Sequence, residues 1–187
     1  MMKIQTAALC LVPLALAACA SDAPTTPICP QVAIVRELSH VSDYGGDTPD
    51  AKALVATASL LRVEGACHID SDESAGDSVE VSYTLSMTAR KGPRLGGDEI
   101  GFPFFVTVVA PDQKILTKEF MTAAFSFRGD SKDAERTEAL RVAIPLTKGA
   151  DVAGYQVLMG FQLTKDQIEA TRKTEDERVE KAISRPD

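Results

Sequence analysis

The sequence has 187 residues, of which 44% are apolar and 5% aromatic, and it contains no tryptophan. This length suits one domain of ordinary size with a hydrophobic core. Lys and Arg number 20 against 27 Asp and Glu, a formal net charge of −7. That balance argues against nucleic-acid binding, which needs a basic footprint, and against electrostatic docking on anionic lipid.

The first residues have the pattern of a secretory signal peptide. Lys3 gives a short positive start, an apolar run over residues 7–16 is interrupted only by Pro13, and small residues lead to Cys19. The run is too short to span a bilayer core as a helix, which needs ~20 residues. The sequence therefore predicts that residues 1–18 are a signal peptide, removed on export.

The stretch Leu16-Ala17-Ala18-Cys19 resembles the lipobox of bacterial lipoproteins. The resemblance implies that the Cys19 thiol receives a diacylglyceryl group, that cleavage precedes it, and that the new amino group is acylated as well, for example with palmitate. Ala20 follows, which implies anchoring in the outer membrane facing the periplasm, with the inner membrane as the other option. The alternative is an ordinary secretory signal with an incidental cysteine.

Residues 19–30 are rich in Pro, Ser, Thr and Asp, which predicts a flexible linker behind the lipidated cysteine. Of the four cysteines, Cys10 leaves with the signal peptide and Cys19 takes the lipid, so that Cys29 and Cys67 remain. An even pair in an exported chain predicts a disulfide, and the spacing does not fit a Cys-x-x-Cys redox or zinc motif. Free thiols at both positions are the alternative.

Residues 31–164 have the pattern of an all-β domain. The clearest strand alternates strictly over residues 79–90, and a short turn at residues 111–113 predicts a hairpin. Residues 53–63 are apolar on both faces, which fits a buried strand or a helical segment, and the Ser and Thr content favours the strand. The predicted strands are Gln31–Leu38, Ala53–Val63, Val79–Arg90, Phe102–Val109, Ile115–Phe127, Leu140–Leu146 and Tyr155–Leu163.

Short strands separated by Gly, Pro and Asp turns predict an antiparallel β-sandwich of seven or eight strands. In architecture alone, the body resembles the immunoglobulin-like and fibronectin-type-III-like domains of bacterial envelope proteins. Residues 129–136 read as a charged loop, and Pro145 suggests that the strand Leu140–Leu146, which contains it, lies at an edge. We expect one domain, because no internal repeat is visible.

The C-terminal residues 165–187 predict a charged helix. Thr164 followed by Gln167 fits a capping box, in which each side chain satisfies a backbone donor at the helix start. The apolar positions in this segment are few, Ile168, Val179 and Ile183. Such a helix buries little surface.

No residue pattern predicts a catalytic, cofactor or metal site, so we expect a protein that is not an enzyme. His40 and His68 read as ordinary surface or strand-end histidines, and no nucleophile motif accompanies them. An acidic turn over residues 70–77 lacks the calcium-loop pattern, because its glycine stands at the seventh position. Phe102, Phe104 and Phe105 are assigned to the core.

These observations lead to one expected function and one alternative. We expect a lipid-anchored, non-catalytic envelope lipoprotein that acts as a structural, assembly or protein-interaction module. Its partners would be the membrane, through the acyl chains on Cys19, and another envelope protein, with no nucleic acid. The alternative is a periplasmic lipoprotein that binds a solute or a glycan.

Overall fold

The computed structural model describes residues 29–46, 50–72, 76–146, 151–169, 172, 180 and 183–184. The predicted signal peptide, the lipidated Cys19 and all but the end of the predicted linker lie outside these residues. The fold therefore concerns the body from Cys29 onwards and part of the C-terminal segment.

The described residues form an all-β sandwich of two four-stranded sheets. The first sheet has the strand order β1-β8-β5-β6 and the second β2-β3-β4-β7. All pairs are antiparallel except β1 with β8, which is parallel. The strands are β1 (Gln31–Ile34), β2 (His40–Asp43), β3 (Ala56–Asp72), β4 (Gly76–Lys91), β5 (Glu99–Val109), β6 (Ile115–Ser126), β7 (Asp133–Pro145) and β8 (Gln156–Phe161). Two 3-10 turns span Arg36–Leu38 and Val152–Gly154.

One hydrophobic core fills the space between the sheets. The predicted alternation of β4 is confirmed, since Val79, Val81, Tyr83, Leu85, Met87 and Ala89 are all buried. Phe102 lies at the centre of an aromatic group from the first sheet. Its ring meets those of Phe125 and Phe161 edge-on, with centroids 6.2 and 6.1 Å away. The core assignment of Phe102 and Phe104 is therefore confirmed.

The first predicted strand, Gln31–Leu38, is wrong in its extent. The chain leaves the first sheet after Ile34, turns through Arg36–Leu38, and joins the second sheet as β2. Ser39 supports the crossing, because its hydroxyl donates to the Arg36 carbonyl at 2.7 Å and its own carbonyl accepts from Leu60 N–H at 2.8 Å. A short β-type sequence does not reveal that its two halves pair with different sheets.

A β-bulge explains why residues 53–63 look apolar on both faces. The pairing of β3 with β4 shifts between Leu60 and Arg62, so that Leu61 is the extra residue. Ala58 and Leu60 face the core before the bulge, whereas Leu61 stands exposed. The strand interpretation of this segment is confirmed, and the helical one is wrong.

Strand β7 begins at Asp133 and not at Leu140, so the second half of the predicted charged loop, residues 133–136, is strand. The charged side chains of residues 133–138 stand on an edge strand, where water reaches them, and Arg136 forms an ion pair with Glu138. The charged residues of this segment therefore indicate an edge strand and not a loop. The edge position suggested by Pro145 is confirmed.

The capping box predicted at the C-terminal helix is confirmed. Thr164 N–H donates to Gln167 Oε1 at 2.8 Å, and Gln167 N–H donates to Thr164 Oγ1 at 3.2 Å. Residues 165–169 form a short helix, and residues 172, 180 and 183 are also helical. Gln167 Nε2 donates to the Ser42 carbonyl at 3.3 Å, which ties the helix start to β2.

Candidate functional site

The predicted cysteine pair lies at bonding distance. The sulfur atoms of Cys29 and Cys67 are 2.09 Å apart and the Cα atoms 5.6 Å apart. Cys29 immediately precedes β1 of the first sheet, and Cys67 lies within β3 of the second. The bridge therefore joins the two sheets, although Cys29 itself stands outside a strand.

The two histidines do not form a common site. Both lie on the exposed outer side of the second sheet, and His40 Nδ1 is 2.9 Å from the Ser59 hydroxyl. His68 stands nine residues further along β3 than Ser59, which is roughly 30 Å at 3.3 Å per residue. Among the described residues, no group of three or more His, Cys, Asp and Glu side chains is placed to hold a metal ion.

Tyr83 of β4 and Glu119 of β6, which is itself exposed, direct their side chains toward the opposite sheet. Tyr83 is buried on β4, and Glu119 is registered opposite the buried Val106, so its side chain leaves β6 on the inward side. Burial, with the negative charge of Glu119 as the second cause, raises the pKa of Tyr83 to about 12. The folded protein therefore holds this phenol proton well above the pH at which an exposed tyrosine loses it.

We expect this shift to weaken the fold at alkaline pH. Between pH 10 and 12 the unfolded chain has released the Tyr83 proton while the folded protein keeps it, so the free energy of unfolding falls as pH rises, by up to ~3 kcal/mol. Urea unfolding across this range measures the slope. Tyr83→Phe removes the titrating group and should flatten it, whereas equal slopes in both proteins would contradict the assignment.

A shallow depression of about 430 Å³ lies on the second sheet, lined by residues 64–66, 82–84 and 139–141. Small side chains such as Ala66 and Ala139 leave the space. Ion pairs occupy the charged groups around it: Arg62 Nε is 3.2 Å from Glu64 Oε1, and Arg141 Nε is 3.4 Å from Glu80 Oε1. The depression is open to solvent, unlike the enclosed pockets that bury small ligands.

Strand β6 carries large apolar side chains that are exposed. It lies at the end of the first sheet and pairs, within the described residues, with β5 only. Ile115, Leu116 and Phe120 are large apolar side chains that are 64%, 49% and 62% exposed. Lys118 Nζ lies 4.2 Å from the centroid of the Phe105 ring and 5.1 Å from that of Phe120.

The backbone of β6 presents hydrogen-bonding groups to solvent over a short stretch. The Thr117 carbonyl faces β5, since it accepts from the Thr107 hydroxyl at 2.8 Å. Because neighbouring residues of a strand direct their N–H and C=O groups to opposite sides, those of Lys118, Phe120 and Thr122 face away from β5. We call residues 118–122 the β6 open edge.

Both ends of the β6 open edge are limited by local structure. At one end the Ala124 carbonyl accepts from Arg136 Nη1 of β7 at 3.1 Å. At the other, the register between β5 and β6 shifts after Val108, which leaves Leu116 as a bulge. The open stretch is therefore about five residues long.

The charges on the two edges differ. Strand β7 has five charged residues in 13, whereas β6 has only Lys118 and Glu119 in 12. Charged side chains on an edge strand discourage pairing with another chain. Both charged residues of β6 lie within the β6 open edge, and the rest of the strand is uncharged. The sequence predicted the β6 strand but not its edge position.

No protein-family model and no curated protein matches the chain. In the described part of the chain, no helix has the length and apolarity needed to cross a membrane. The class defined by the described residues is an all-β sandwich of two four-stranded sheets.

Proposed function

We propose that the protein is a lipid-anchored, non-catalytic lipoprotein of the bacterial cell envelope that binds another envelope protein by strand addition at β6. The observation on which this rests is the β6 open edge, where backbone groups that no strand of the described residues pairs with lie beside the exposed ring of Phe120. An added strand would satisfy the backbone groups, and its alternate side chains would contact the apolar surface.

The lipobox supports the membrane anchor. Cys29 lies ten positions after Cys19, which gives a reach of at most ~35 Å when fully extended. Two or three acyl chains at Cys19 provide stable anchoring, whereas one chain binds only reversibly. The sandwich would then stay close to the periplasmic surface of the outer membrane, or of the inner membrane if sorting differs.

We further propose that the sandwich is immunoglobulin-like. In that fold the second and fifth strands pair in one sheet, and the third and sixth pair in the other. The pairs β4–β7 and β5–β8 have this relation, because the connections from β4 to β5 and from β7 to β8 both cross between the sheets. Strand β1 lies beside β8 in addition to these pairs and runs parallel to it.

Replacing Cys19 with serine tests the anchor. We expect the variant to lose the acyl mass and to leave the membrane fraction, because the thiol that takes the lipid is gone. A Cys10→Ser variant is the matched control, since Cys10 lies within the predicted signal peptide. A Cys19→Ser protein that is still processed before residue 19 and still sediments with membranes would refute the lipoprotein assignment.

A pair of proline substitutions tests strand addition. Proline lacks the N–H donor and is tolerated in edge strands where that donor faces solvent. Thr122→Pro removes a donor of the β6 open edge. Thr137→Pro removes a donor of the same kind on β7. There the Ala134 carbonyl faces β4, since it accepts from the Thr88 hydroxyl at 3.2 Å, so the backbone groups of odd-numbered residues such as Thr137 face away from β4. We expect crosslinking in intact cells to lose its captured protein with Thr122→Pro and to keep it with Thr137→Pro. Equal capture by both variants would refute binding at β6.

The depression on the second sheet supports a second candidate function, the binding of a solute or a glycan. Its hydroxyl-bearing lining, including Ser82 and Thr84, offers hydrogen bonds to a polar ligand. A thermal-shift screen with sugars tests this function, using Ala139→Tyr as the variant that fills the depression. A sugar that raises the melting temperature of the native chain, and not that of Ala139→Tyr, would favour it.

A further inference from the structure

We infer that the outer face of the first sheet docks on the phospholipid surface in which the chain is anchored. The inference rests on the proposed lipid anchor at Cys19 and adds a second membrane contact, made by the folded domain itself. It follows from the apolar side chains of that face, from the position of Lys118, and from the place where the N-terminal segment enters the sheet.

The outer face of the first sheet is apolar around β5 and β6. Phe105 and Val109 are buried, yet they stand outside the core between the sheets, because they alternate with core residues along β5. Phe105 lies opposite Phe120, and Val109 lies opposite Ile115. Leu158 of β8 shares this side of the sheet. We call Phe105, Val109, Ile115, Phe120 and Leu158 the outer apolar face.

The outer side of the second sheet has the opposite character. On β4, the side chains that alternate with the core residues are hydroxyl-bearing or charged, namely Ser78, Glu80, Ser82, Thr84, Ser86 and Thr88. Water solvates such side chains well, whereas Ile115 and Phe120 are large apolar side chains that are 64% and 62% exposed. Grouped exposed apolar side chains mark an interaction surface. The sandwich therefore has one apolar side and one hydroxyl-rich side.

Lys118 is placed to meet a phosphate group. It lies on the outer side of β6, with its Nζ atom 4.2 Å from the centroid of the Phe105 ring and 5.1 Å from that of Phe120. A lysine in this position lays its stem along apolar surface while its ammonium reaches the headgroups. Glu99 lies six positions before Phe105 on β5, roughly 20 Å away. Apolar side chains with a lysine among them suit the boundary between headgroups and acyl chains.

The N-terminal segment enters the sandwich in the same sheet. Gln31 is registered beside Gln156, Gln156 beside Val109, and Val109 beside Ile115. These residues form one row across the sheet, so that Gln31 and Ile115 are about 14 Å apart at ~4.8 Å per strand. The proposed anchor lies at most ~35 Å from the start of the described chain, so it holds this sheet near the lipid. A strand added at β6 would lie in the plane of the sheet and leave the outer apolar face open to the membrane.

Tryptophan fluorescence tests the docking, because the chain contains no tryptophan. Phe120→Trp places one on the outer apolar face. Thr137→Trp is the matched control, since Thr137 is exposed on the outer side of the second sheet, opposite Ser86. The lipidated proteins are reconstituted in phosphatidylcholine vesicles whose acyl chains carry bromine, which quenches tryptophan on contact. We expect the quenched fraction to be at least threefold larger for Phe120→Trp than for Thr137→Trp.

Equal quenching of the two variants, or none for Phe120→Trp, would overturn the inference. A blue shift of the Phe120→Trp emission that develops without vesicles as the protein concentration rises would assign this face to a second copy, and would overturn it as well. Far-UV circular dichroism confirms that each variant is folded.

The same variants in a Cys19→Ser background separate the docking from the anchor. With excess vesicles, Phe120→Trp should still be quenched more than Thr137→Trp, although by a smaller fraction, because no anchor concentrates the chain at the lipid. If mass spectrometry finds no lipid on Cys19, the anchor fails and this comparison alone decides the docking. If the lipidated Phe120→Trp protein is not quenched, the docking fails and the anchor stands.

Discussion

The variant with both Cys29 and Cys67 changed to serine should lose about 4 kcal/mol of unfolding free energy. The bridge closes a loop of 38 residues, and the chain-entropy relation for a loop of this length gives ~4 kcal/mol. Removing it lets the unfolded chain sample conformations that the bridge forbids, while β1 and β3 keep their strand pairing in the folded protein.

Urea unfolding of the native and double-serine proteins measures this loss. The midpoint should fall, and the native protein with its bridge reduced should move to the same midpoint. The single variant Cys67→Ser also removes the bridge, and it leaves the Cys29 thiol without its partner. Matching midpoints for the native and double-serine proteins would show that the bridge does not constrain the unfolded chain.

Phe102→Ala should have a comparable effect, about 3–5 kcal/mol, through loss of core packing. Its ring is buried and meets Phe125 and Phe161 edge-on, and each such pair adds roughly 0.5–1.5 kcal/mol. The cavity would open in the core between the two sheets, whose hydrogen-bonded strands resist collapse into it. Thermal and urea unfolding should therefore both report a large loss of stability.

Phe120→Ala is the matched control, because the same atoms are removed from a side chain that is 62% exposed on the same sheet. Its free energy of unfolding should change by no more than about 0.5 kcal/mol when measured at low protein concentration. Comparable losses for the two variants would mean that the aromatic group around Phe102 is not the core of the first sheet.

Local patterns predicted the elements whose environment is uniform along their length. Strand β4 alternates because one face is buried throughout, and the capping box depends on residues only three positions apart. The hairpin of β5 and β6 has the same local character, since a short turn joins strands that pair with each other. In these cases the determining contacts lie close together in the sequence.

The elements that sequence analysis missed depend on distant pairing. Strands β1 and β2 look like one strand, because nothing local shows that Ile34 pairs with Met159 while Val41 pairs with Ala58. The bulge at Leu61 is defined only by its partner strand. The β6 open edge was missed for the same reason, since exposure of Phe120 follows from the absence of a neighbour within the described residues.

The bridge between Cys29 and Cys67 also determines how the domain bears mechanical load. Tension applied from the N-terminal side reaches Cys29 first and passes through the sulfur atoms into β3, in the second sheet. Strands β1 and β2 lie inside the covalent loop, so they are shielded from the pull. Without the bridge, the same force would peel away β1, a four-residue strand at the margin of its sheet.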